Sequence, residues 1–368
     1  MPASTVLKAW EACDLTDTLF VLVCTVFCWP IIPAVGLAYS GYSHRRNGMA
    51  SFMPSIMVIA CCSIQWFVIG YSFAYGEGSG VIGDFKGTPV HICSGATASA
   101  LSIYLSYPLF RSKKSVIRTP SHLRLHRPGN SMSQLIALII IWNSWLAFDA
   151  GTTLSFNFKS VMALCVTNLC ASGGALTWAC MTYFETGKWS LDSTFMGAIA
   201  GLVMITPAAG FVDMTTSFFF GVVGAVICRQ ALRIKSTKLA AKYKWVDNGD
   251  TFATHCVGGI VGTIATGLFA RKEVAFYDGA TEIDGGVFFD GNVKQLGIQL
   301  LEALIGFTWS FVGSYILFAL VDCVPGLEVL AKDEDIVSGM DVAEMEESFD
   351  GQCEDDYHPF KNGGIELD

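Results

Sequence analysis

His255 stands between a charged lip, Asp247 and Asp250, and an unbroken glycine-studded apolar run that reaches Ala270. Read as a membrane span, that run puts an imidazole inside hydrocarbon, where an ionisable side chain is expensive and marks a functional site by default. His91 opens a second apolar run in the same way: His91-Ile92-Cys93-Ser94-Gly95 echoes His255-Cys256-Val257-Gly258-Gly259. A lone histidine in a span serves as readily as a structural hydrogen-bonder. A pair at matching places in two runs is the weak internal repeat of a transporter built from two related halves. Imidazoles suit proton handling there, because a neutral ring carries one donor and one acceptor nitrogen.

The elements that must position the pair are membrane spans. The 368 residues are 52% hydrophobic and 15% charged, with mean hydropathy +0.48, against about 25% charged in a soluble domain. Nine runs are long enough, at about 17 to 25 residues, to cross a bilayer as helices: 17–39, 49–75, 88–109, 132–153, 160–184, 192–212, 214–231, 251–270 and 296–323. Most of the thirteen cysteines, Cys24, Cys28, Cys61, Cys62, Cys165, Cys170, Cys180 and Cys228 among them, lie inside these runs and read as small packing residues. No four have zinc-ligand spacing, so no metal is expected, and no nucleotide loop or nucleophile motif points to an enzyme or a cofactor. Lys8 is outweighed by Glu11, Asp14 and Asp17, unlike a basic leader, so the first span is expected to be retained.

Loop charge gives the orientation, since cytoplasmic loops collect Lys and Arg. Arg45 and Arg46 fill loop one; Arg111, Lys113, Lys114, Arg118, Arg124 and Arg127 fill loop three; Arg229, Arg233, Lys235, Lys238, Lys242 and Lys244 fill loop seven. The alternate loops carry Lys86, then Lys159, then Arg271 and Lys272 diluted by five acids. Nine spans with the N-terminus outside and the C-terminus in the cytoplasm satisfy this pattern. The net charge of −9 conceals a division: residues 327–368 hold fourteen Asp and Glu against two Lys, leaving a mildly basic body. The expected domains are therefore a transmembrane body, 1–326, and an acidic cytoplasmic tail, 327–368, partly unstructured. That tail is expected to meet the basic loops at 111–127 and 229–244.

Several ordered motifs carry a resemblance. Gly87-Thr88-Pro89-Val90-His91-Ile92-Cys93-Ser94-Gly95, Phe148-Asp149-Ala150-Gly151-Thr152, Gly197-Ala198-Ile199-Ala200-Gly201-Leu202-Val203 with Ile205-Thr206-Pro207, and Phe252-Ala253-Thr254-His255-Cys256-Val257-Gly258-Gly259 resemble the ammonium transporter family, closest to its eukaryotic Amt and Mep members. Gly36-Leu37-Ala38-Tyr39-Ser40-Gly41, Gly70-Tyr71-Ser72, Pro325-Gly326-Leu327 and Gly339-Met340-Asp341 extend the match over most of the chain. The resemblance implies an all-α polytopic membrane fold with two inverted structural repeats. It implies a homotrimer of protomers that each hold a narrow pore, a plasma-membrane setting, ammonium or ammonia as substrate, and no nucleic-acid partner. The family has eleven spans. Here span two ends at Gly76 and the histidine motif follows after Glu77 to Lys86, so spans three and four are expected to be missing, with a deletion junction near 77–87.

By resemblance His91 and His255 are the paired imidazoles of the conduit, expected to meet near the membrane midplane. Phe148 matches the inner gate phenylalanine, and Thr152 falls where a hydroxyl serves the outer site. Tyr39 matches a pore-side tyrosine, while Trp145 is either conduit wall or packing. Asp149 departs from the family's Asn or similar residue and places an extra carboxylate near the conduit. The outer gate phenylalanine and the cation-holding tryptophan belong to the missing spans. Asp84 is an imperfectly spaced echo of the family's acidic residue; Asp247 is either its counterpart in the second half or a helix cap. The missing helices should leave the pore wider or open sideways, and recruitment of the cation weak. Two functions follow: ammonium transport through a twin-histidine hydrophobic pore, poor when the chain acts alone, or a transport-incompetent isoform that joins trimers as a regulatory or interaction subunit.

Overall fold

The computed structural model describes residues 13–70, 90–109 and 129–346. The expected junction at 77–87, Tyr71 and Ser72, Asp84, the basic loop of 111–127 and the tail beyond 346 lie outside the described residues. Among the described residues the chain is helical, without strands. The first span is α1 (Leu15–Cys28) and α2 (Ile31–Tyr42). They are two parts of one crossing, interrupted at Trp29-Pro30 because proline supplies no backbone N–H to the ladder. Then follow α3 (Gly48–Gln65), α4 (Val90–Ser106), α5 (Ser131–Gly151), α6 (Phe158–Thr186), α7 (Leu191–Ile205) and α8 (Met214–Ala231). A π-helical segment, Phe252–Val257, leads into α9 (Gly258–Phe269), and α10 (Val293–Asp322) is the last crossing.

Eight of these crossings have at least 18 residues and the apolarity to span a membrane, and the 17-residue α4 makes the ninth. Start signals are local. Asn130 accepts from the N–H groups of Met132 and Ser133 to cap α5, Asn157 and Ser160 form a capping box on α6, and Asp213 caps α8.

Residue type decides depth in the bundle. α7 is apolar all round, and every residue from Met196 to Ile205 is buried, so it forms the axis against which α6 and α8 pack. Small residues let these helices approach: Ala171, Ala175, Ala198 and Ala200 are at most 7% exposed. At the perimeter α1 buries none of its residues, α3 only Gly48, and α10 turns Leu301, Leu304 and Trp309 outward. Such faces suit hydrocarbon or a neighbouring apolar surface and would be a liability in water.

The tail, expected to be partly unstructured, begins with structure. After the short helix Asp333–Ser338, α11 (Met340–Met345) packs on the start of α3. Asp341, 1% exposed, accepts from Met49 N at 3.1 Å and Ala50 N at 2.8 Å, and Met340 N donates to Asn47 Oδ1 at 3.0 Å. A helix N-terminus has unsatisfied N–H groups and a positive end, and a carboxylate answers both. The tail contacts described here thus run to loop one, whereas contacts were expected at 111–127 and 229–244. Gly339 makes the approach feasible: its φ is +99°, and a Cβ there would lie 2.7 Å from Arg46 Cβ.

Asp341→Ala should remove about 0.5–2 kcal/mol, the usual worth of such a cap. The expected outcome is a lower Tm in detergent and faster proteolytic release of the tail, with Gly339→Ala behaving alike. An unchanged Tm together with unchanged cleavage would show that the dock contributes nothing.

Candidate functional site

The two histidines are positioned by elements that run in opposite directions. His255 sits in the π segment, whose first N–H groups are held by Asp247: Oδ1 accepts from Phe252 N at 2.8 Å and Oδ2 from Ala253 N at 3.0 Å. This is the cap role weighed for Asp247 from the sequence. Thr254 Oγ1 donates to Asp250 O, and Tyr39 Oη shares a 2.9 Å hydrogen bond with Thr251 Oγ1, tying α2 to the same lip. His91 lies at the head of α4, which is fixed by hydrogen bonds from Trp245 Nε1 to Ser99 Oγ at 2.6 Å and from Val246 N to Ser102 Oγ at 2.8 Å. Tyr104 Oη donates to Asp322 Oδ2 at 2.9 Å and anchors its other end to α10.

Close approach of α4 and the π segment depends on glycine. A Cβ on Gly95 would stand 2.5 Å from both Cβ and N of Cys256, a distance no real Cβ tolerates. Gly259 leaves only 3.2 Å from its own Cβ position to His91 Cβ. With those side chains absent, Nδ1 of His91 and Nδ1 of His255 come to 3.3 Å, ring centroids 5.4 Å apart. One nitrogen must donate while the other accepts, so the pair shares a proton between fixed tautomers.

The pair forms a partition. A partly open cavity of about 450 Å³ reaches it from the end opposite the tail, lined by His91, Phe148, Thr152, Thr206, Thr263 and Glu302 among others. A smaller one of about 70 Å³ reaches it from the tail end, with Tyr39, Trp145, Asp192 and His255 in its wall. Nε2 of His91 is buried and has no hydrogen-bond partner among the described residues. A buried imidazole nitrogen left unpaired is costly and is expected to meet a ligand or water.

All six residues singled out from the sequence converge here. Trp145 stacks on His91, centroids 5.0 Å apart at 16°, and meets Phe148 edge-on at 6.2 Å. Its Nε1 donates to Thr206 Oγ1 at 2.9 Å, which fixes the indole plane. Thr152 donates its hydroxyl to Asp149 O, leaving its lone pairs toward the cavity wall. Asp149, 2% exposed, accepts from Thr167 Oγ1 at 2.7 Å, so its carboxylate lies behind the wall rather than in a cavity. Sequence reading missed Asp192 in the inner wall and Gln295, Gln299 and Glu302 in the outer one. The last three had a signal, since polar residues at i, i+4 and i+7 make one stripe on an otherwise apolar helix.

Outside the spans, burial pushes the Asp247 carboxyl up from its ordinary 3.8 to about 6; the N–H groups of Phe252 and Ala253 pull it down, Asp250 adds to the rise, and Lys235 opposes it. The folded chain therefore holds this proton more tightly than the unfolded chain. The resulting stability is complete below pH 3.8 and is lost as pH rises through about 6. Asp247→Asn should lose one cap bond at every pH yet gain in Tm relative to the parent as pH rises across that window. A Tm difference independent of pH would contradict this.

Known proteins place the arrangement. The sequence model of the Ammonium Transporter Family matches residues 19–89 and 84–349. Ammonium transporter 1 of Schizosaccharomyces pombe is 27% identical over 442 aligned positions, covering 95% of this chain and 86% of its own. Ammonium transporter MEP2 of Saccharomyces cerevisiae is 26% identical, with 91% and 83% covered. The crystal structure of Candida albicans Mep2 superposes with a TM-score of 0.74 at 28% identity over 88% of both chains. With the family model matching nearly the whole described body, this chain belongs to the ammonium transporter family.

Proposed function

We propose that the chain carries ammonium nitrogen across the plasma membrane as neutral ammonia, passing the His91–His255 partition. The observation that carries this reading is the 3.3 Å contact of the two Nδ1 atoms with a cavity on either side. Moving a bare charge through about 30 Å of hydrocarbon is prohibitive, whereas ammonia needs only hydrogen-bonding partners along the way. His91 Nε2 offers such a partner on the outer side. Phe148 gates the outer cavity, Thr152 supplies acceptor lone pairs, Trp145 holds the His91 ring in plane and Tyr39 walls the inner exit. The excess of Lys and Arg in loops one, three and seven favours a cytoplasmic tail and an outside N-terminus. The bare faces of α1, α3 and α10 suit lipid and the neighbours of a homotrimer.

Two observations support the loss of spans three and four. The family model matches in two segments that meet at 84–89. The alignment with the fission-yeast relative also runs over 442 positions, more than the 368 residues present. The lost spans take the aromatic cation holder with them, and a cation-π contact of about 1.4 kcal/mol is worth about tenfold in affinity. The second reading, a non-transporting subunit of trimers, is favoured by α3, which packs on α2 and α11 and buries only Gly48.

Growth on low ammonium in cells stripped of their own transporters separates the two. The expected result is growth several-fold slower than with a version in which two spans are restored, abolished by His255→Ala. Absence of growth from chain present at the cell surface, at every ammonium concentration, would reject transport and leave the subunit role.

A further inference from the structure

Glu302 is a carboxylate within the last membrane crossing that forms no hydrogen bond or ion pair with another described residue. It lies nine residues into α10, about 14 Å from the helix start at about 1.5 Å per residue. Its depth relative to the histidines is set by packing. The next residue, Ala303, is buried in one cluster with Ile92 and Cys256, the chain neighbours of His91 and His255. Glu302 therefore stands at the level of the partition, and it lines the same outer cavity as His91. Gln295 and Gln299 precede it on the same helix face and line that cavity too, while Ile298, Leu301 and Ile305 point outward. Among the described lining residues Glu302 is the one carboxylate, and no Lys or Arg shares the wall.

An unpaired carboxylate at this depth of the crossing, beside amides and a buried unpartnered imidazole nitrogen, is costly in its charged form, and a hydrogen-bonding cation in the cavity offsets that cost. The acceptors present are the carboxylate, the amide oxygens, the threonine hydroxyl lone pairs and His91 Nε2. A compact cation that donates several hydrogen bonds satisfies them together. An alkali-metal ion has no hydrogen to give Nε2, and a fully methylated ammonium has none to give any of them.

We propose that Glu302, with Gln299, Gln295 and Thr263 around it, forms a binding site for a small ammonium ion carrying at least three N–H donors on the floor of the outer cavity beside His91. This rests on the transport reading above and deepens it, because it assigns cation holding to the last span where the family's aromatic holder is missing. The site is built from α9, α10 and the head of α4, all described parts of the bundle. Specificity comes from hydrogen-bond donors: ammonium and methylammonium fit, potassium and tetramethylammonium do not.

The test is binding of radiolabelled methylammonium to the full chain in lipid nanodiscs, which needs no transport. Ammonium chloride should displace the label, and potassium or tetramethylammonium chloride at equal concentration should not. Glu302→Gln should weaken binding about tenfold or more, since it removes the only charge facing the cation. Gln299→Leu should weaken it by a smaller factor. Glu302→Gln puts a neutral side chain of the same shape into the span, so insertion should improve, and an unchanged elution volume and ligand-free Tm verify the fold. Equal displacement by potassium would reveal a general cation site and overturn the proposal. So would undiminished binding in both variants, including the case in which Glu302→Gln instead disperses the oligomer. Binding lost in Glu302→Gln while no version supports growth would sink the transport reading and leave this site standing; growth with unaltered binding would sink this site alone.

Discussion

The cost of placing charge and unpaired polar groups in hydrocarbon governs this chain. Nearly every polar group in the spans has a local remedy: threonine hydroxyls bond back to their own helix, as Thr206 does to Leu202 O and Thr266 to Gly262 O. Asp149 takes the Thr167 hydroxyl, and Asp322 takes Tyr104. Against that background the groups left without a remedy stand out. Among the described residues these include the buried Ser40 Oγ, Gln134 Oε1, Asp192 Oδ1 and His91 Nε2, and the last shares a cavity with the Glu302 carboxylate.

That partition is cheap in residues and demanding in geometry. Two imidazoles at 3.3 Å require backbones closer than side chains of ordinary size permit, and Gly95 against Cys256 is where the space is found. His255 lies in a π-helical turn, Phe252–Val257, a local departure from α-helix of the kind often found at functional sites. Asp247 then fixes the start of that turn with both oxygens. Packing, capping and the site are thus one construction, and a change at Gly95 would act on chemistry through spacing alone.

The amino-acid pattern made some of this legible. Nine apolar runs of spanning length were readable because hydropathy is a property of composition, and parity followed from loop charge. That six residues would gather at one place was readable because two motifs repeat and because Phe148, Thr152 and Tyr39 stand in recognisable runs. Less accessible was anything decided by which face of a helix turns inward. Glu302 lies in an otherwise apolar run, where its stripe with Gln295 and Gln299 marks a face but not a depth, and the packing of Ala303 on Ile92 and Cys256 places it level with the histidines. The start of the tail is a related case. Its composition is that of an unstructured acidic segment, yet one aspartate meeting two free N–H groups at the head of α3 is enough to dock it.

The described contacts around His91 come from α5, α10 and the π segment. Among the described residues, those that fix the ring are Trp145 on α5 by stacking, Ala303 on α10 through Ile92, and Cys256 in the π segment by contact at Gly95. Further along α4, Ser99 and Ser102 are held by Trp245 and Val246, and Thr97 pairs with Ser314 at 2.8 Å. None of these partners comes from α3 or from the stretch between it and α4. Among the described residues, the meeting of the two histidines is therefore set by α4, α5, α10 and the π segment. Loss of two spans should then act chiefly on how the cation is gathered and little on how the histidines meet. Such a loss would also preserve parity, so every later helix would keep its direction and α4 would still run opposite to the π segment, a relation on which the histidine contact depends.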